Sequence, residues 1–216
     1  MRFEWDDELL VAGHRAGLEA LGRGSEAEAF TRRFVEDVLP GLQPGDDYEA
    51  TLRGLLGADA SVDAFLDAEH AAWSPARSLV GAGHALLESL RERGLRLAIV
   101  ANAWPEPARL VRREIAELGV TERVDAIVLS GEVGARKPDP AIFERALAEL
   151  DVDPVEALMV GDGLATDVQG AASLGMSTAQ ALWFRADDDM SGVEPDFLAF
   201  TPMDVLNATR RLALTG

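Results

Sequence analysis

The sequence predicts an α/β protein: a parallel sheet with helices on both faces, joined to a segment that is helical throughout. Three observations predict it. From about Leu79, short apolar runs alternate with amphipathic helical stretches, the pattern of a parallel sheet covered on both faces. From Asp7 to about Pro75 the helical period runs on without a convincing strand. Finally, three of the apolar runs end in polar or glycine-rich turns, as strands do where their carboxyl ends form a binding mouth.

The helical part opens with "DDELLVAGHRAGLEALG". Here Leu9, Leu10, Gly13, Gly17, Leu18 and Leu21 fall near helical spacing, and Gly22 supplies the stop. "SEAEAFTRRFVEDVLPG" begins with Ser25 and Glu28 at capping-box spacing and ends at Pro40-Gly41. "DYEATLRGLLG" and "SVDAFLDAEHAAW" read as two more short helices. Four helices on short polar loops suggest a small bundle.

The α/β part begins with the helix "GHALLESLRERG", which stops at Gly94, and the buried strand "LRLAIVA". The helix "EPARLVRREIAELG" and the strand "VDAIVLS" follow. "DPAIFERALAEL" is a helix with Asp139 as its cap and Pro140 in its first turn. Then come the strand "ALMVG", the helix "TDVQGAASLG", strands near "TAQALWF" and "DFLAF", and the helix "MDVLNATRRLAL". "ADDDM" reads as a solvated acidic loop. No internal repeat or low-complexity tract appears.

Composition narrows the function. The 216 residues are 48% hydrophobic, enough for a real core. With no Cys, thiol nucleophiles, disulfides and cysteine-zinc sites are excluded. A net charge of −18 repels phosphate backbones, so no nucleic-acid partner is expected. No apolar run is long enough to span a membrane and no signal peptide is evident, so the expectation is a soluble, cytoplasmic protein. A small anionic substrate would then need a local cation or a metal. Of 20 basic side chains, 19 are Arg; the single lysine, Lys137, sits in the punctuated loop "GARKPDP". It is either an ordinary surface charge or a compact cation that a site needs in place of a guanidinium fork.

The strand ends supply candidates. "LAIVA" ends at Ala101-Asn102, "AIVLS" leads through "GEVGARKPDP" to Lys137, and "ALMV" ends at Gly161-Asp162-Gly163. One mouth can gather Asn102, Lys137, Asp162 and Asp167. Carboxylates of this kind suit Mg2+, which takes oxygen ligands and keeps several waters. Structural readings stand beside this one. Thr166 and Gln169 have capping-box spacing, and Asp167 near a helix start would be favoured by the helix dipole alone. "GDGLAT" half-matches a dinucleotide loop but lacks its third glycine. His14, His70 and His84 fit no metal spacing and read as structural.

Asn102 at a strand tip, Lys137 in "RKPDP" and "VGDGLATDVQGA", in this order, resemble the haloacid dehalogenase-like (HAD) hydrolases. The segments "KPDPAIFERAL" and "EPDFLAF" strengthen the likeness, which covers about 79–216. It implies a Rossmann-like α/β core over 79–216 and an all-helical cap over 7–78, with residues 1–6 a possible remnant of the first-strand region. It further implies a phosphatase acting on a small phosphorylated metabolite through a phospho-aspartate. Lys137 would take the catalytic, charge-screening lysine role, Ala101, Asn102 and Lys137 would contact the phosphate, and Asp162 with Asp167 would hold Mg2+.

The sequence departs from the family pattern twice. The position of the family's second-motif hydroxyl is Ala101, which leaves only a backbone N–H donor. The first motif, a strand ending Asp-x-Asp-Gly-Thr, is absent; "FEWDDELL" would be a degraded copy with Glu4 and Asp6 in the two acid positions. The expectation is instead that the first strand and its aspartates lie upstream of Met1, leaving the sheet with an open seam or a substitute strand from residues 1–5. A natural non-catalytic binder of Mg2+ and phosphate, and a haloacid dehalogenase, are the alternative functions. Substrate identity and oligomeric state are unreadable.

Overall fold

The computed structural model describes residues 2–3, 7–43, 45–104, 106–183 and 192–212. Glu4, Asp6 and the "ADDDM" loop lie outside them. The chain forms two compact units, residues 1–78 with 103–114, and residues 79–102 with 115–216. The sequence reading placed 103–114 with the α/β part; here they group with the helices.

The helical unit holds α1 (Asp7–Ala20), α2 (Ala27–Arg33) continuing into a π-helical turn (Phe34–Val38), α3 (Tyr48–Leu56) and α4 (Val62–Trp73). Two glycines let α1 and α4 approach closely. A Cβ on Gly13 would lie 2.3 Å from Trp73 Nε1, and one on Gly17 would lie 2.5 Å from Phe65 Cδ2. Leu18, Leu52, Phe65, Leu66 and Leu110 fill the core between the helices. Asp47 caps α3 by accepting from the Ala50 amide at 2.9 Å, and Ser61 caps α4 through the Ala64 amide at 3.3 Å. The capping box expected at Ser25 and Glu28 does not form, because a 3-10 turn over Gly24–Glu26 intervenes and α2 starts at Ala27. A two-residue strand β1 (Arg2–Phe3) pairs antiparallel with β2 (Arg77–Ser78).

The α/β unit contains α5 (Gly83–Glu92), β3 (Ala98–Ala101), the end of α6 (Ala108–Glu117), β4 (Ala126–Leu129), α7 (Ser130–Val133) and α8 (Pro140–Leu150). It continues with β5 (Leu158–Gly161), a π-helical turn (Leu164–Val168), α9 (Gln169–Ala172), β6 (Ser177–Ala181), β7 (Phe197–Ala199) and α10 (Val205–Leu212). Asp139 caps α8 through the Ala141 amide at 2.9 Å. No described helix is long and apolar enough to cross a membrane.

The sheet is in two pieces. β3 pairs parallel with β4, in register Ala98↔Ala126 to Ala101↔Leu129. β5, β6 and β7 form a separate parallel ladder. Among the described residues no ladder joins β3 to β5. Yet both strands feed the same two layers. Ala98, Val100 and Met159 pack with Ile142 and Phe143 of α8, whereas Leu97, Leu158 and Val160 pack with Leu90 of α5 and Val205 of α10. All four residues of β3 and all four of β5 are only half-buried, while three of four in β4 and four of five in β6 are buried. Interior strands should be the most buried; here the two flanking the gap are the less buried ones. Of residues 1–5, Arg2–Phe3 form β1, which pairs with β2, so among the described residues no strand pairs into the space between β3 and β5.

Candidate active site

The carboxyl ends of β3 and β5 meet through side chains. The Lys137 amide donates to Asn102 Oδ1 at 2.8 Å, and Asn102 Nδ2 donates to the Lys137 carbonyl at 3.1 Å. Lys137 Nζ then donates to Asp167 Oδ1 at 2.5 Å. The other Asp167 oxygen accepts from the Gly163 amide at 3.0 Å. β3 and β5 thus bring their carboxyl ends to one place, where ligands bind in parallel α/β sheets.

Local backbone explains the placement. A Cβ on Gly161 would sit 2.3 Å from Asp167 Cγ, so glycine is what lets this carboxylate fold back against the end of β5. Gly170 does the same for α9, where a Cβ would lie 2.6 Å from Phe143 Cε2 and 3.1 Å from Pro138 Cα. The Lys137–Pro138 peptide is cis. The Thr166–Gln169 capping box is not made. The helical turn starts earlier, at Leu164, and Asp167 reaches back to the Gly163 amide instead.

Asn102, Lys137 and Asp167 are thus joined by hydrogen bonds, and Asp162 stands one residue before Gly163 with its side chain exposed. Lys137 and Asp167 are 12% and 5% exposed, so their attraction is weakly screened. The Asn102 side chain is occupied with the Lys137 backbone, which makes it a holder of the lysine loop. Ala101 is the last residue of β3. Among the described residues no three His, Asp or Glu side chains form a ready-made metal cage. The two aspartates still suit Mg2+ chemically: both offer hard oxygen donors, and this ion needs only one or two carboxylates beside water.

A second polar cluster, inside the helical unit, was not anticipated. His14 and Glu69 are wholly buried, with His14 Nε2 3.7 Å from Glu69 Oε1. His14 Nδ1 pairs with Thr31 Oγ1 at 3.0 Å. Burial lowers the His14 pKa to about 4. Burial, and then the nearby Glu106 charge, push Glu69 well above the usual carboxylate range, which favours its neutral form. Beside it, Glu106 bonds His70 Nδ1 at 2.7 Å and Arg77 Nη2 at 2.6 Å. Burial works to raise Glu106, but the His70 bond and the Arg77 charge outweigh it and lower its pKa. The sequence did carry a signal. Val62, Phe65, Leu66, Glu69, His70 and Trp73 share the buried face of α4, so an acid and a histidine occupy core positions.

The family model for haloacid dehalogenase-like hydrolases matches residues 8–175. The chain belongs to that family. A ribulose-1,5-bisphosphate 5-phosphatase of Halopiger xanaduensis is 37% identical over 82% of this chain and 69% of its own length. A phosphoserine phosphatase of Thermus thermophilus is 40% identical over 99 residues, 46% of this chain, and the match spans 37% of that relative. The crystal structure of a HAD phosphatase from Thermococcus onnurineus superposes with a TM-score of 0.65 at 25% identity, over 93% of this chain and 88% of that one. The fold of the HAD hydrolases is therefore the fold of this chain, its parallel strands divided between β3–β4 and β5–β7.

Proposed function

We propose that this HAD hydrolase is built as a Mg2+-dependent phosphatase for a small phosphate ester, working through a phospho-aspartate. The hydrogen-bonded chain Asn102–Lys137–Asp167 at the ends of β3 and β5 carries the reading. Relatives that act on phosphate esters support it. Asp162 and Asp167 would hold Mg2+, which offsets phosphate charge as a nucleophile approaches. Lys137 adds a fixed ammonium, kept in place by Asn102 through the backbone and by Asp167 through Nζ. Ala101 offers a backbone N–H where a hydroxyl would add a second donor; one missing transition-state donor costs about a hundredfold in rate.

No described carboxylate lies on a strand between β3 and β5. A strand seated in that seam, parallel to both edges, would bring its carboxyl end to Lys137. The open seam and Ala101 also favour a second reading, a non-catalytic binder of Mg2+ and phosphate.

Calorimetric titration of inorganic phosphate tests what the two readings share. Binding should require Mg2+ and disappear in Asp162→Asn and Lys137→Met; phosphate heats indifferent to both would sink both readings. An extended peptide of alternating apolar residues ending in Asp-x-Asp separates them. Restored hydrolysis of an aryl phosphate marks a phosphatase site, and phosphate binding without restored hydrolysis marks the binder.

A further inference from the structure

We propose that Arg77 is a clamp on the three places where the chain passes between its two units, and a positioning residue for Asn102. The chain crosses after Ser78, after Asn102 and after Glu114. Arg77 immediately precedes the first crossing, Glu106 follows the second within a few residues, and Glu114 is the last residue before the third. These three side chains meet inside the helical unit. Arg77 Nη2 lies 2.6 Å from Glu106 Oε2, and Arg77 Nε lies 3.5 Å from Glu114 Oε2. Their side chains are 4%, 11% and 12% exposed, so the ions are largely removed from water.

His70 ties the cluster to α4. Its Nδ1 lies 2.7 Å from both Glu106 Oε1 and Arg77 Nη1, so it either donates to the acid or accepts from the guanidinium. Arg77 Nη1 also reaches the His70 carbonyl at 3.4 Å. One planar fork thus engages two acids and a helix at once, which a lysine ammonium cannot reproduce. Burying such a group is costly unless its partners are complete, and here the partners are the residues at the other two crossings.

The second crossing leads to the active-site candidate. Only Ala103, Trp104 and Pro105 separate Glu106 from Asn102, whose side chain holds the Lys137 backbone. Fixing Glu106 fixes one end of a short connector whose other end is Asn102. The inference rests on these contacts and is independent of the phosphatase reading.

Amide hydrogen exchange on the full chain tests it without any activity. The reporter is the Lys137 amide, which donates to Asn102 Oδ1. Arg77→Met should speed its exchange by about tenfold or more while amides of β6 keep their protection. Arg77→Lys should fall between Arg77→Met and the unchanged protein. Glu106→Gln and Glu114→Gln, which keep the side-chain volume, provide milder breaks if Arg77→Met does not fold. Leu52→Ala is the control for simple loss of stability in the helical core. An unchanged Lys137 amide in the folded variants would overturn the clamp, and so would equal acceleration by Leu52→Ala.

Discussion

Asn102 and Lys137 hold one another through two reciprocal hydrogen bonds: the lysine amide donates to Asn102 Oδ1 at 2.8 Å, and Asn102 Nδ2 donates to the lysine carbonyl at 3.1 Å. The end of β3 is thereby fastened to the loop that carries the chain's single lysine. Asn102→Ala should remove both bonds and strand two half-buried backbone groups, at about 1–3 kcal/mol in urea unfolding. Asn102→Asp keeps the acceptor for the Lys137 amide but sets a carboxylate oxygen against the Lys137 carbonyl, so it should not rescue the loss. An Asn102→Ala protein as stable as its parent would show that the pair contributes nothing.

Lys137 should not tolerate arginine. Its Nζ sits 2.5 Å from Asp167 Oδ1 in a site where the lysine side chain is only 12% exposed. A guanidinium is wider and cannot place one compact charge in the same space. Phosphate binding in the presence of Mg2+ should weaken about tenfold in Lys137→Arg, the loss expected when about 1.4 kcal/mol of interaction is removed. Binding equal to the parent's would show that any cation suffices.

Gly161 and Gly54 should respond oppositely to alanine. At Gly161 the new methyl would meet Asp167 at 2.3 Å, displacing the carboxylate that Lys137 engages; the expected loss is about 1–3 kcal/mol. Gly54 is an exposed position in α3 with nothing within 4 Å, so alanine there should stabilise by about 0.5–1 kcal/mol. Thermal melts of the two variants settle both signs.

The buried pair in the helical unit predicts opposing pH limbs. The His14 pKa falls from 6.5 to about 4 on folding, so its contribution is complete above 6.5 and is lost as pH drops toward 4. The shift corresponds to about 3 kcal/mol at most, and His14→Gln should flatten this acid limb. Glu69 has the reverse sign. Its folded pKa is raised above 4.5, so its contribution is full below 4.5 and declines as pH rises through the folded value. Glu69→Gln mimics the neutral acid and should stabilise the protein at pH 8 while changing little at pH 4.5. Urea midpoints at the two pH values measure this; a Glu69→Gln protein less stable at pH 8 would mean the carboxylate is ionised and needed.

What the sequence revealed follows from what periodicity encodes. The strands "LAIVA", "AIVLS" and "ALMV" were legible because buried parallel strands read as apolar runs. Their division into two ladders leaves no mark in such runs, and the seam was expected only because the family pattern lacked its first strand. The ends of α2 and α9 were misread because Ser25 and Thr166 have capping-box spacing, yet a 3-10 turn and a π-helical turn take those residues. Asn102, Lys137 and Asp167 were legible as strand-end residues; that Asn102 would spend its side chain on the lysine backbone was not. The His14–Glu69 pair joins residues far apart in sequence, and only the buried face of α4 hinted at it.

The central claim is a proposed phosphate site in which Asp162, Asp167 and Lys137 would hold Mg2+ and phosphate, with no described carboxylate on a strand between β3 and β5. Aryl phosphate hydrolysis by purified 1–216 protein, with Mg2+ present, tests it most directly. The account predicts turnover barely above the uncatalysed background, unchanged by Glu4→Ala or Asp6→Ala. Robust turnover that either substitution abolishes would contradict it, and would make "FEWDDELL" the working first motif of the enzyme.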